Sequence, residues 1–114
     1  MVTAPEIFEK FKDLGVFEKR FLNDDYGELV FFSKDLDQWS RVLTELLGPP
    51  LKPAGQKTKE EHLKISMKYG GVNDNQTLFR KDLGDGKMLL ALLWPWNNGT
   101  YTTLKLAIRK KPPT

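Results

Sequence analysis

The sequence predicts a single α+β domain built on a mainly antiparallel sheet of five or six strands, with two or three helices in the approximate order α-β-β-α-α-β-β-β. Three observations carry that reading. The nine residues from Met88 to Trp96 contain no charge, so they form a strand that is apolar on both faces. Both faces then need a cover, supplied by helices, a ligand or a second copy of the chain. Asp85-Gly86 stands between two extended runs, the favoured composition for a tight hairpin whose central residues both need positive φ. Leu36, Trp39, Val42, Leu43, Leu46 and Leu47 recur at i, i+3, i+4 and i+7, the apolar stripe of a helix.

The elements follow in order. Thr3 precedes Glu6 by three residues, a capping-box spacing, and Pro5 suits a first helical turn. Ile7, Phe8, Phe11 and Leu14 share one face of that helix, and Gly15 can stop it. Val16 to Leu22 and Glu28 to Phe32 form a hairpin around the turn-forming Asn23-Asp24-Asp25-Tyr26-Gly27. Leu29 to Phe32 are apolar without alternation, so the second strand is interior. Ser33 or Asp35 can cap the helix that follows. Gly48 supplies its C-cap, and Pro49-Pro50 forbid continuation. Leu51 to Lys57 is a connector bearing Pro and Gly.

Residues 58–69 carry two patterns. Leu63, Ile65, Met67 and Tyr69 alternate with polar neighbours as in a strand, while Thr58 and Glu61 have capping-box spacing and Gly70-Gly71 would end a helix. Most residues between are good helix formers, and helix is the reading taken. Thr77 to Asp82 is the next strand, then the apolar one, then Thr100 to Arg109. In the last, Leu104, Leu106 and Ile108 alternate with Tyr101, Thr103, Lys105, Ala107 and Arg109. The domain is expected to span residues 1–109, with 110–114 a short, disordered basic and proline-bearing tail.

Composition narrows the function classes. The 114 residues, 39% hydrophobic, suit one ordinary core. There is no cysteine, which excludes disulfides, thiolate metal sites and cysteine nucleophiles, and fits a reducing, cytoplasmic setting. No run reaches the ~18 apolar residues of a membrane span, and Met1 to Glu6 lacks the pattern of a signal peptide. Charge is uneven: residues 1–75 hold 11 Lys and Arg against 13 Asp and Glu, while residues 76–114 hold 7 against 2. The basic C-terminal part suggests a taste for anions, and the plainer account is a solvated face with a basic tail.

Catalytic chemistry is sparse. His62, beside Glu60 and Glu61, is the one histidine, and a histidine among surface charges reads first as exposed rather than as a general base. Asp24, Asp25 and Glu28 lack the spacing of a calcium loop, so no metal is expected. Neither Ser33 nor Ser66 lies in a Gly-x-Ser-x-Gly turn. Gly70-Gly71 and Gly84-Asp85-Gly86 lack the residues of a phosphate loop, so no cofactor is expected. No motif marks a particular family.

The candidate binding residues are Tyr101, Lys105 and Arg109 on one face of the last strand, with Arg80 across the sheet and Trp94 and Trp96 nearby. A face mixing large rings with cations is unlike a solvated one. The leading expectation is a non-catalytic binding or protein-interaction module, self-associating or taking a protein partner. The alternative is a nucleic-acid-binding domain, since such sheets stack bases on rings among cations. Against it stand a net charge of only +3 and no RNA-binding signature. A small enzyme using His62 or turn carboxylates comes third.

Overall fold

The uncharged strand lies in the interior of an antiparallel sheet, between two others, and helices close both of its faces. The structure, a computed structural model, describes residues 2–112. Among them are three α-helices, α1 (Ala4–Glu9), α2 (Leu36–Leu47) and α3 (Glu60–Ser66), and five strands. The strands are β1 (Glu18–Leu22), β2 (Tyr26–Phe32), β3 (Thr77–Gly84), β4 (Lys87–Pro95) and β5 (Tyr101–Lys110). Their spatial order is β1-β2-β5-β4-β3, and every neighbouring pair is antiparallel. Asp85 and Gly86 have φ of +52° and +72°, as a two-residue hairpin with matching twist requires.

Residues opposed in an antiparallel pair share a face. The register Leu93↔Leu104 and Leu92↔Lys105 therefore sorts the side chains into two layers. On the first, Leu29, Phe31, Phe79, Leu89, Leu93 and Leu106 meet α1 and α2. Trp39 of α2 is clamped between Phe11 and Phe31, with ring centroids 4.7 and 4.4 Å away and planes within 11° of parallel. On the second face, Leu78, Met88, Leu90 and Leu92 lie beneath Ile65 of α3, Tyr69 of the following 3₁₀ turn (Met67–Tyr69), and Val72. Gly70 ends that turn with φ +101° and lies so close to the Trp94 ring that a Cβ would overlap it.

Several local expectations shift. The α-helical part of α1 ends at Glu9, so Phe11 comes from the turns that follow it, while Thr3 caps as expected, accepting from the Glu6 N–H. Neither Ser33 nor Asp35 caps α2 by its side chain; the Ser33 hydroxyl instead pairs with Thr102 across the sheet at 2.8 Å. Gly48 has positive φ, but with ψ −176° it is an extended glycine-only turn rather than a left-handed cap. Residues 60–66 are helical, and the capping box sits one residue later than Thr58 and Glu61. Lys59 is the N-cap, and its N–H donates to Nδ1 of His62 at 3.1 Å. The strand-like alternation fails because Leu63 and Met67 face solvent while Ile65 and Tyr69, four residues apart, point inward. β5 runs to Lys110, and the Lys111 N–H donates to the Gly86 carbonyl at 2.7 Å, so the start of the expected tail is tied to the sheet. Pro113 and Thr114 lie outside the described residues.

Lys52 is the residue whose place the sequence hid. It is fully buried, and its Nζ donates to the carbonyls of Pro53, Asp74 and Gln76 at 3.0, 2.8 and 2.6 Å. Three donors meet three acceptors, so the ammonium is satisfied without a carboxylate. Its backbone pairs with Leu78 at the outer edge of β3, which joins the connector to the sheet. Among the described residues, no helix is long and apolar enough to cross a membrane.

Candidate binding face

The second face of the sheet is only half covered. α3 and its 3₁₀ turn sit over β4 and β3, where Met88, Leu90 and Leu92 are wholly buried. The helix thus supplies the cover that the uncharged strand demanded on this side. On the other half, β1, β2 and the start of β5 carry a run of aromatic rings. Register puts Tyr101 opposite Phe32, Lys105 opposite Glu28 and Ala107 opposite Tyr26.

These rings form two groups. Phe17 lies 4.4 Å from Tyr101 and 5.5 Å from Phe32, and Trp96 lies 5.0 Å from Tyr101, centroid to centroid. Phe21 lies 5.9 Å from Tyr26, which stacks on Tyr69 at 5.7 Å. The Trp96 Nε1–H donates to the Thr103 hydroxyl at 2.8 Å, and the Arg20 guanidinium sits 5.4 Å from the indole centroid. Phe17 and Phe21, on the edge, remain 47% and 53% exposed, far more than the rings behind them. The local causes are plain. Pro95 has no N–H and falls at the end of β4, but the Trp96 N–H still donates to the Tyr101 carbonyl at 2.8 Å, so alternation puts Trp96 on the same face as Trp94 before the chain turns.

The charges on this half largely answer each other. Arg20 reaches Glu18 at 3.4 Å and Glu28 at 3.8 Å. The Tyr26 hydroxyl donates to Glu28 at 2.8 Å, and burial together with that carboxylate pushes the Tyr26 phenol well above its ordinary value. The β1 edge is a poor docking strand, since it carries Glu18, Lys19 and Arg20 and a register irregularity at Lys19/Phe21.

Lys105 and Arg109 stand at the seam between the covered and uncovered halves. The Lys105 ammonium lies 3.3 Å from the Trp94 ring centroid and donates to the Tyr69 carbonyl at 2.9 Å. Burial holds it below its ordinary pKa, a shift opposed by Glu28 and reinforced by Arg20. Arg109 donates to the Ile65 carbonyl at 3.4 Å. Both cations therefore meet carbonyls at the C-terminal end of α3 and its 3₁₀ turn, where helical carbonyls lack partners and the dipole favours positive charge. Burial likewise raises the Tyr69 phenol, with Arg109 acting against it.

The six sequence-nominated residues divide accordingly. Tyr101 and Trp96 belong to the ring run, and Trp94, Lys105 and Arg109 to the seam. Arg80 is elsewhere, two strands from Lys105 on the edge strand β3 and paired with Asp82 at 3.1 Å. Sequence reasoning missed Phe17, Phe21, Phe32, Tyr26 and Tyr69, because β1 and β2 reach this face only through pairing of β2 with β5, a long-range contact.

His62 is not exposed, contrary to expectation. It is 5% accessible, its Nδ1 accepts the Lys59 N–H, and Nε2 lies 3.9 Å from Glu61. The physical reason is its place at the third position of α3, where its ring closes the capping box. Ser66 is equally buried and donates to the His62 carbonyl at 2.7 Å. Among the described residues, no cluster of three or more His, Cys, Asp or Glu side chains is arranged to hold a metal ion. No family model, no curated protein and no solved structure matches the chain.

Proposed function

We propose that the chain is a non-catalytic interaction module, and that the uncovered half of its second sheet face pairs with the same face of a second copy. The carrying observation is the ring run that α3 leaves open, ending in the half-exposed Phe17 and Phe21. Large rings exposed together on one sheet face usually mark an interaction site. The charges favour a like partner. Glu18 and Glu28 lie among Arg20, Lys34 and the rings, so the face carries both signs and can complement itself across a two-fold axis. The same carboxylates count against a nucleic-acid reading of this half, since they would face phosphates. The engaged Nδ1 of His62 counts against an enzyme built on it.

Light scattering and sedimentation over a wide concentration range test the proposal. The parent should dimerise, and Phe21→Lys should weaken association at least tenfold while leaving the circular dichroism and unfolding midpoint near those of the parent. Phe17→Ser should act in the same direction. A parent that stays monomeric at millimolar concentration overturns the reading.

A further inference from the structure

We propose that the cleft at the seam, between the Asn23–Tyr26 turn and the 3₁₀ turn that follows α3, binds a small soluble anion of the phosphate class. The cleft encloses about 720 Å³, within the ~300–1,000 Å³ usual for small-molecule sites. Lys68, Lys105, Arg109 and Lys110 line it, against the single carboxylate of Asp25. Within the chain Glu28, opposite Lys105, answers part of this excess without forming a close ion pair with it. Among the described residues, none of these four cations has a carboxylate within 4 Å, whereas Arg20, Arg80 and Lys111 all do.

The arrangement is also held in place. Lys105 is fixed by the Tyr69 carbonyl and Arg109 by the Ile65 carbonyl, so neither needs to find its position when a ligand arrives. A carbonyl leaves the positive charge uncompensated. With one N–H on the Tyr69 carbonyl and its ammonium against the Trp94 ring, Lys105 keeps one open N–H, and Arg109 keeps four, enough to receive several anionic oxygens. Lys68 brings charge from the 3₁₀ turn to Lys105 and Arg109 of β5, whereas Lys110, one residue further, alternates to the first face with Leu106 and Ile108. A multiply charged anion matches Lys68, Lys105 and Arg109 together better than a single carboxylate does. The site borders the rings at Tyr26 and Tyr69 and does not depend on self-association.

Titration of the full chain with inorganic pyrophosphate, followed by calorimetry and by backbone amide shifts, tests the proposal. The expected result is a dissociation constant below about 1 mM at low salt, a weakening with added salt, and the largest shifts at Tyr69, Lys105 and Arg109. Lys68→Glu changes one exposed side chain and should weaken binding at least fivefold with the fold intact. Arg109→Gln should do the same, and because it also loosens α3 its unfolding midpoint is measured alongside. A second arm uses vesicles containing phosphatidylserine, which present the same phosphate chemistry on a surface. Binding to vesicles without binding to pyrophosphate overturns the proposal. So does pyrophosphate binding that is indifferent to the Lys68 and Arg109 changes, or shifts spread evenly over the lysines of the chain.

Discussion

β4 is apolar on both faces, and the two faces are closed in different ways. Leu89, Ala91 and Leu93 lie beneath a twelve-residue amphipathic helix whose Trp39 is clamped between Phe11 and Phe31. Met88, Leu90 and Leu92 lie beneath a helix of seven residues, too short to be stable alone. Polar contacts hold that second cover. Lys105 and Arg109 reach the carbonyls of Tyr69 and Ile65, Lys52 gathers three carbonyls, and Asp74 accepts the Thr58 N–H at 2.8 Å. One side is held by buried apolar area, the other by a smaller apolar cluster reinforced by charged side chains on backbone groups. The difference explains why the second side stops short and leaves rings and a basic cleft beside it.

The largest expected effect falls on the first face. Trp39 is wholly buried, and Trp39→Ala should cost about 3–5 kcal/mol in denaturant unfolding, through lost transfer energy and the cavity left between two rings. A loss below about 1 kcal/mol would mean that the stack does not hold α2 to the sheet.

Lys52→Met tests the second face at intermediate magnitude. The substitution keeps the bulk and removes the donors for three carbonyls. Each buried acceptor left unpaired costs about 1–3 kcal/mol, and water will reach some of them, so a loss of about 2–3 kcal/mol is expected. Amide exchange at Lys52 and Leu78 should accelerate more than at Leu93, which lies on β4. An unchanged midpoint would show that apolar contacts alone hold this cover and would erase the contrast.

The first face was legible in the sequence because its signals are periodic. The stripe from Leu36 to Leu47 and the alternation of Leu104, Leu106 and Ile108 each repeat within one element. The hairpin at Asp85-Gly86 was legible because two adjacent residues specify its geometry. The second cover was not. Residues 58–69 carried both a strand pattern and a helix pattern, and what decides between them is burial of Ile65 against strands far away in sequence. Nothing in Leu51 to Lys57 marks Lys52 as buried, since its three acceptors belong to residues up to 24 positions away. The candidate site was half legible for the same reason. Alternation put Tyr101, Lys105 and Arg109 on one face, but only the pairing of β2 with β5 brings Tyr26, Glu28 and Phe32 beside them.

The smallest expected effect sharpens the same comparison by titration. The Asp74 carboxylate accepts the Thr58 N–H, and that bond, with the charges of Lys52 and Lys57 nearby, holds its pKa below the ordinary carboxylate value. A carboxyl whose pKa is lower folded than unfolded stabilises the fold fully above its unfolded pKa, about 3.9. That contribution is lost as pH falls through the folded value. Asp74→Asn keeps an oxygen for the Thr58 N–H but carries no charge and does not titrate. The variant should therefore be slightly less stable than the parent at pH 7, by an equal margin down to about pH 5. Below about pH 4 the margin should shrink as the parent takes up its proton. Urea midpoints at pH 7, 5, 4 and 3 read this directly. A margin that widens on acidification would reverse the sign, and Asp74 would then not be one of the charges fastening the second cover.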